Sequence, residues 1–235
     1  MKGTVVVIPT YNNAGTLSDV LARTFSQGLP VVVVDDGSTD GTAALLSAHR
    51  SAPQLTVLRH ERNRGKGAAL RTGLSWAQEQ GFAFALTLDA DGQHFPEDIP
   101  ALLSACAPRT LVVGSRNVQG ADAGSSFANR FSNFWFWLYT GIRLPDTQTG
   151  FRLYPLASLP PLRLLSARYE AELTLLVLSA WKGLSLTSVP VRVAYPADRV
   201  SHFRPFRDFL RISLLNTILV FGALFYGWPA RLFRK

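Results

Sequence analysis

Cysteine is almost missing from this sequence of 235 residues, because Cys106 is the only one. A single cysteine excludes an intramolecular disulfide and favours a cytosolic compartment. The glycine-rich signatures of many nucleotide sites are missing too, since neither the G-x-x-x-x-G-K-S/T spacing of a P-loop nor G-x-G-x-x-G occurs. The apolar stretch near the N-terminus is too short for a signal peptide, so we expect a first strand there.

Acidic residues are scarce beside basic ones: 16 Asp and Glu stand against 24 Lys and Arg, a net charge of +8 at pH 7. This excess predicts an anionic partner, which could be nucleic acid, anionic lipid or a phosphorylated substrate. Recognised nucleic-acid motifs are missing and the cations are scattered, so nucleic acid is the least favoured of the three. Repeats and linkers are missing as well, and we expect one domain, residues 1–205, with an appendage, residues 206–235.

Short β-branched runs alternate with helical patterns along the first half of the chain. Nearly continuous apolar runs indicate buried strands at residues 4–8, 31–34, 55–58, 82–88 and 110–114. The spacing between them predicts helices over residues 14–26, 40–49, 66–80 and 97–105. We therefore predict an α/β fold with a doubly wound, mostly parallel sheet. Beyond it the sequence indicates an aromatic helix over 131–142, a loop over 143–155, a helix over 169–181 and a strand over 184–194.

Polar clusters follow four of the predicted strands. The segments "PTYNN", "DDGSTDG", "DADGQH" and "GSRN" come directly after the first, second, fourth and fifth strand. In an open parallel sheet, ligands bind beyond the carboxyl ends of the strands. We therefore expect the four clusters to lie on one edge and to form one site.

The cluster after the fourth strand contains a D-x-D pair, Asp89 and Asp91. Two carboxylates at a tight turn suit Mg²⁺ or Mn²⁺ and leave coordination positions for substrate phosphates, and Gln93 and His94, just downstream, could complete the shell. The same pair is compatible with a phosphohydrolase that uses Asp89 as its nucleophile, or with a solvated turn. Such hydrolases usually carry the pair after their first strand, so we place the metal site above them.

Other polar segments add candidate residues. Asp36 can accept hydrogen bonds from ribose hydroxyls or a base N–H, although an Asx-type turn with Gly37 explains it equally. Lys66 stands with Arg64 among glycines at a helix start, where anions are favoured, and the alternative is a basic turn.

The last third of the chain contributes three more groups. The segment "DTQTGFRLY", residues 146–154, could bind sugar and phosphate or form an ordinary turn. Glu170 and Glu172 lie near a helix start, where acids are often only favourable to the helix dipole. A basic cluster suited to an acidic head group contains Arg199, Ser201 and His202.

Taken in order, these segments resemble a known family. "VVIPTYNNAGTL", "VVVVDDGSTDGT", "NRGKGAAL", "LDADGQHFPEDI", "GSR" and "DTQTGFRLY" are similar to the inverting family-two glycosyltransferases of the GT-A fold, particularly the dolichyl- and polyprenyl-phosphate sugar synthases. The resemblance covers roughly residues 3–200. It implies a nucleotide-sugar donor, UDP- or GDP-linked, and a divalent cation, Mg²⁺ or Mn²⁺.

The resemblance also implies roles by position. Asp89, Asp91 and Gln93 would handle the metal and diphosphate, and Arg116 with the Asp146–Arg152 loop would face the sugar and acceptor. The nucleoside would contact Pro9, Tyr11, Asn12 and Asp36, with Lys66 also on the donor side. The acceptor phosphate would meet Thr149, Arg199, Ser201 and His202, where His202 replaces the lysine that the lipid-phosphate group carries.

The acceptor decides whether a base is needed. A lipid phosphate is already anionic, whereas a hydroxyl of another envelope lipid or glycan must lose its proton to a carboxylate. Our candidate catalytic residues are Asp146, first choice for a base, Glu170, the second, and Arg152. We expect positioning and electrostatic stabilisation to supply most of the rate effect.

Near the C-terminus, residues 212–228 carry no charge. As a helix they would measure ~26 Å, short of the ~30 Å hydrocarbon core of a bilayer. Arginines flank the segment on both sides, which favours a helix lying on the cytoplasmic face of the membrane over a crossing one. The alternative is that this helix covers the sheet or pairs with another subunit in a homo-oligomer.

Overall fold

The computed structural model describes residues 2–116, 123–166, 168, 170–194 and 216–232. These residues contain a seven-stranded sheet of order β3-β2-β1-β4-β6-β5-β7. The strands are β1 Lys2–Thr10, β2 Val31–Asp35, β3 Leu55–Arg59, β4 Phe82–Thr87, β5 Thr110–Arg116, β6 Arg152–Pro155 and β7 Ser185–Val191. All pairs are parallel except those of β6, which runs antiparallel to both β4 and β5. The α/β class and the mostly parallel sheet agree with the sequence prediction.

Helices cover both faces of this sheet. They are α1 Ala14–Phe25, α2 Thr42–Ala48, α3 Lys66–Glu79, α4 Ile99–Ser104, α5 Ala123–Thr140 and α6 Glu170–Trp181, with a short 3₁₀ turn, Pro96–Asp98, before α4. Neighbouring residues of β1 alternate between the two cores: Val5 and Val7 pack with α3 and α6, whereas Val6 and Ile8 pack with α1 and α4. This alternation explains why the strand is a continuous apolar run.

The loop predicted over residues 143–155 is wrong at its end, because Arg152–Pro155 form β6 between β4 and β5. Its register sets Arg152 opposite both Thr87 and Val113. A four-residue strand with a buried arginine has no apolar run to reveal it, and only the pairing of distant segments creates it. The aromatic helix also begins earlier than predicted, at Ala123.

The described C-terminal residues, 216–232, are helical and contain a π-turn, Ala223–Gly227. We call them the C-terminal helical segment. Leu219 and Ala223 join the core beside α5 and α6, and the Trp228 indole donates to the Leu138 carbonyl at 3.2 Å. Within the described ranges, no helix combines the length and apolar character that a bilayer crossing requires. The predicted segment 212–228 lies only partly inside these ranges.

Candidate active site

The polar clusters lie on one edge of the sheet. Strand β1 runs between β2 and β4, and Asp36 and Asp89 follow those two neighbours. Two strand spacings amount to about 10 Å, so the predicted nucleoside residue and the D-x-D pair lie near each other at this edge, and we call the region between them the cleft. Arg116, at the end of β5, lies farther along the same edge.

Lys66, the first residue of α3, joins two acidic groups from distant parts of the chain. Its ammonium Nζ lies 2.7 Å from Asp89 Oδ1 and 3.0 Å from Glu172 Oε2. All three side chains are largely buried. The helix start therefore delivers a cation to the base of the cleft, where it holds the D-x-D loop against α6.

Sharing one ammonium affects the two carboxylates differently. Burial alone would lower the pKa of Lys66, but the charges of Asp89 and Glu172 outweigh it and raise that pKa. Burial opposes ionisation of Asp89, yet the Lys66 charge holds its pKa below the ordinary value. The pKa of Glu172 is raised, because burial dominates over the same ammonium. The ammonium thus favours ionisation of both carboxylates, but only for Asp89 does it outweigh burial.

Asp91 completes the D-x-D pair. Its Oδ1 accepts the backbone N–H of Gln93 at 3.0 Å, and burial together with the Asp89 charge raises its pKa. A divalent cation would relieve that repulsion, and Mg²⁺ characteristically takes one or two carboxylates plus substrate phosphates. The pair therefore fits a metal that is shared with a diphosphate. Among the described residues, no group of three or more His, Cys, Asp or Glu side chains forms a complete metal cage.

The predicted nucleoside residues come from β1 and the loops after β1 and β2. Pro9 lies in β1 opposite Val34, and Tyr11 follows that strand. Asn12 adopts a positive φ of 55°, and its Oδ1 accepts Thr39 N–H at 2.8 Å. Asp36 accepts backbone N–H groups of Arg64 and Gly65 at 3.0 and 2.7 Å. These contacts tie three loops into one wall of the cleft.

Asp146 is fully buried and forms an ion pair with Arg116. The guanidinium donates through Nε to Oδ2 and through Nη2 to Oδ1 at 3.0 Å, and Gln148 N–H also donates to Oδ1 at 3.0 Å. Such a bidentate pair is among the stronger charge-assisted contacts. It holds Arg116 at the cleft through the carboxylate that we predicted as a base.

A polar face of α5 holds the same loop. Asn133 Nδ2 donates to the Pro145 carbonyl at 2.7 Å, and its Oδ1 accepts Thr147 N–H at 3.0 Å. Ser132 Oγ lies 2.9 Å from Thr147 Oγ1. Asn129 adds a bond to the Pro145 carbonyl at 3.3 Å. The i, i+3, i+4 spacing of these residues places them on one face of α5, a pattern that could have identified them from the sequence.

Arg152 is 0% exposed, and its guanidinium donates hydrogen bonds to backbone carbonyls. Its guanidinium donates to the carbonyls of Thr149 at 2.8 Å, Thr147 at 2.9 Å and Glu172 at 2.7 Å. These three bonds join the 147–149 loop to α6. The structure therefore places this predicted catalytic residue beneath the site, where it positions the loop.

Thr149 and His94 meet inside the cleft. Thr149 Oγ1 accepts Phe151 N–H at 3.2 Å and lies 3.4 Å from His94 Nε2, whose ring packs on Phe151. Burial lowers the pKa of His94. Gly150 comes so close to the D-x-D loop that a Cβ there would lie 2.5 Å from Asp89 Oδ2. The acceptor-side loop and the metal-side loop are thus in direct contact.

Two groups of predicted residues stand apart from this network. Glu170 begins α6, but Glu172 is the one that reaches Lys66. Arg199, Ser201 and His202 lie outside the described residues. Their assigned roles, like those of the other site residues, stay predictions.

Comparison with known proteins identifies a family and a fold. The model of glycosyl transferase family 2 matches residues 5–158. The polyprenol monophosphomannose synthase of Mycolicibacterium smegmatis is 32% identical over 80% of this chain and 76% of its own length. The undecaprenyl-phosphate mannosyltransferase of Micrococcus luteus is 31% identical over 80% of this chain and 82% of its own.

A solved structure shares the architecture. Glucosyl-3-phosphoglycerate synthase of Mycobacterium tuberculosis, crystallised with Mn²⁺, UDP-glucose and phosphoglyceric acid, superposes with a TM-score of 0.63. The alignment covers 94% of this chain and 79% of that one, at 19% identity. That likeness concerns the fold alone.

Proposed function

Because this chain belongs to glycosyl transferase family 2, we propose that it transfers a sugar from a nucleotide sugar to a polyprenyl phosphate. We further propose that the transfer inverts the anomeric centre and takes place at the cytoplasmic face of the membrane. The names of two relatives, a polyprenol monophosphomannose synthase and an undecaprenyl-phosphate mannosyltransferase, support a lipid phosphate as the acceptor class. Membership of this family removes the support for a phosphohydrolase.

One structural observation carries the choice of acceptor: the favoured base is already engaged. Asp146 gives both carboxylate oxygens to Arg116, and the cleft acids Asp89 and Glu172 share Lys66. A hydroxyl acceptor needs a carboxylate that is free to take a proton, whereas a phosphate oxygen attacks as an anion. The pairing of Asp146, our first choice of base, favours the phosphate; Glu170, whose Oε2 has no hydrogen-bond partner among the described residues, is the carboxylate that a hydroxyl acceptor would use.

On the donor side, Asp89 and Asp91 would hold Mg²⁺ or Mn²⁺. When bound, the cation neutralises charge on the departing nucleoside diphosphate. The ion pair with Lys66 holds Asp89 in place. Asp36 supplies a hydrogen-bond acceptor for the nucleoside. Arg116, fixed by Asp146, provides positive charge on the acceptor side. Preorganised charges of this kind stabilise the transition state without reorganisation during the reaction.

Exposed aromatic side chains support the membrane assignment. Phe131, Phe134 and Trp137 project from α5, and Phe221, Phe225 and Tyr226 project from the C-terminal helical segment. Arg143 lies over the Trp137 ring at 5.6 Å, which places a cation beside this surface. Aromatic side chains combined with basic residues are typical of surfaces that rest at the bilayer interface.

The test is a transfer assay with purified chain and liposomes that contain undecaprenyl phosphate or, as the matched control, undecaprenol. A panel of UDP- and GDP-sugars is supplied with Mn²⁺ or with EDTA. We expect glycolipid only with the phosphate and the metal, with an inverted anomer by NMR. Product from undecaprenol would instead establish a hydroxyl acceptor, and full activity of Asp91→Ala would refute the metal assignment.

A further inference from the structure

The carboxylate of Asp36 is fixed by three donors. Oδ1 accepts Arg64 N–H at 3.0 Å and lies 2.6 Å from His60 Nδ1, and Oδ2 accepts Gly65 N–H at 2.7 Å. A carboxylate oxygen accepts about two hydrogen bonds. Oδ1 therefore has both positions used, while Oδ2 accepts one hydrogen bond and has one position left.

His60 is buried between the end of β2 and α3. Its backbone N–H donates to the Asp35 carbonyl at 2.9 Å, and its Nε2 lies 3.0 Å from Thr72 Oγ1 in α3. Because Asp36 Oδ1 offers only lone pairs, Nδ1 carries the hydrogen of the shared bond. The imidazole thus connects α3, through Thr72, with the carboxylate of Asp36.

The surrounding loops leave little freedom for another arrangement. Gly37, with a φ of +73°, packs against the loop that contains Arg62. A Cβ at Gly37 would lie only 2.5 Å from the Arg62 carbonyl carbon. Without the imidazole, however, the Asp36 side chain keeps only its two amide donors. These two amides hold one oxygen each, and the imidazole is a third donor that strengthens this orientation against the broad terminal torsion of the carboxylate.

We propose that His60 is a positioning residue for the donor nucleoside. It orients Asp36 so that the remaining acceptor position of Oδ2 meets an N–H or hydroxyl of the nucleoside. The same network sets this acceptor relative to Lys66, since Thr72 and Lys66 lie on one helix. This inference rests on the proposed nucleotide-sugar donor.

Two amide variants test it. In His60→Asn the side-chain NH₂ can occupy the place of Nδ1, whereas in His60→Gln the longer side chain carries it to the place of Nε2. Calorimetric titration with UDP and GDP in Mn²⁺ should show about tenfold weaker binding for His60→Gln, as expected when one hydrogen bond to a charged group is lost. His60→Asn should stay within about threefold of the natural chain.

The accompanying measurements separate positioning from general damage. Binding of Mn²⁺ with inorganic pyrophosphate should be equal in both variants, and the donor KM of His60→Gln should rise while kcat stays near its original value. If the two variants bound nucleoside diphosphates equally well, the positioning role of His60 would be refuted, and the proposed donor would be unaffected. A natural chain that binds pyrophosphate but neither UDP nor GDP would overturn the proposed donor as well.

Discussion

Removing the ammonium of Lys66 should reverse the sign of the effect that Glu172→Gln has on the free energy of unfolding. In the natural chain Lys66 lies 2.7 Å from Asp89 and 3.0 Å from Glu172, in largely buried surroundings. Lys66→Met leaves two close carboxylates without their shared cation. Breaking a buried ion pair from one side costs about 3–5 kcal/mol. Some solvent reaches the group, so we expect about 3 kcal/mol less unfolding free energy, or roughly a hundredfold in the equilibrium constant.

The second mutation is Glu172→Gln. In the natural chain it removes a favourable partner of Lys66, and we expect a loss of about 1 kcal/mol. In Lys66→Met the same change removes one of two repelling, unpaired carboxylates, so it should restore about 1 kcal/mol. The coupling energy from the cycle is then about 2 kcal/mol.

Urea denaturation of the four proteins at pH 7, followed by fluorescence of the tryptophans, gives the required free energies. Lys66→Arg is the matched control, because it keeps a cation between the two acids and should lose much less stability. The same cost of Glu172→Gln in both backgrounds would refute the shared ion pair.

Three further predictions concern the D-x-D loop, pH and the surface. Gly150→Ala should lower kcat about a hundredfold, because its Cβ would displace the first D-x-D carboxylate, whereas Gly3→Ala, whose Cβ meets nothing within 4 Å, should match the natural chain in the same assay. Arg23 lowers the pKa of Glu97 to about 2 from 4.5, so their exposed pair stabilises above pH 4.5 and loses its effect as pH falls towards 2. Urea titrations of Arg23→Gln should show a deficit below about 1 kcal/mol at pH 7 that shrinks by pH 3.5, and a constant deficit would contradict this. Phe225→Ser, at a ring 78% exposed, should weaken sedimentation with anionic liposomes about tenfold without changing the Tm, and unchanged sedimentation would remove this ring from the membrane surface.

Chemical pattern alone located most of the candidate site. Asp36, Asp89 and Arg116 each stand at or just beyond the end of an apolar strand, and parallel strands bring such positions to one edge wherever the fold is doubly wound. The order of motifs then indicated a family that the comparisons confirm. Local residue spacing was sufficient for these conclusions because strands and helices have fixed periods.

Tertiary structure decided which of these groups touch. The antiparallel strand β6 exists only because β4 and β5 supply its hydrogen bonds, and Arg152 is buried there by three carbonyls rather than exposed to substrate. The choice between Glu170 and Glu172 as the partner of Lys66 depends on the rotation of α6, which packing sets. His60 was not among the predicted site residues, although it lies just before the segment "NRGKGAAL". Contacts between residues far apart in sequence depend on strand order and helix rotation, and neither has a local period that a sequence displays.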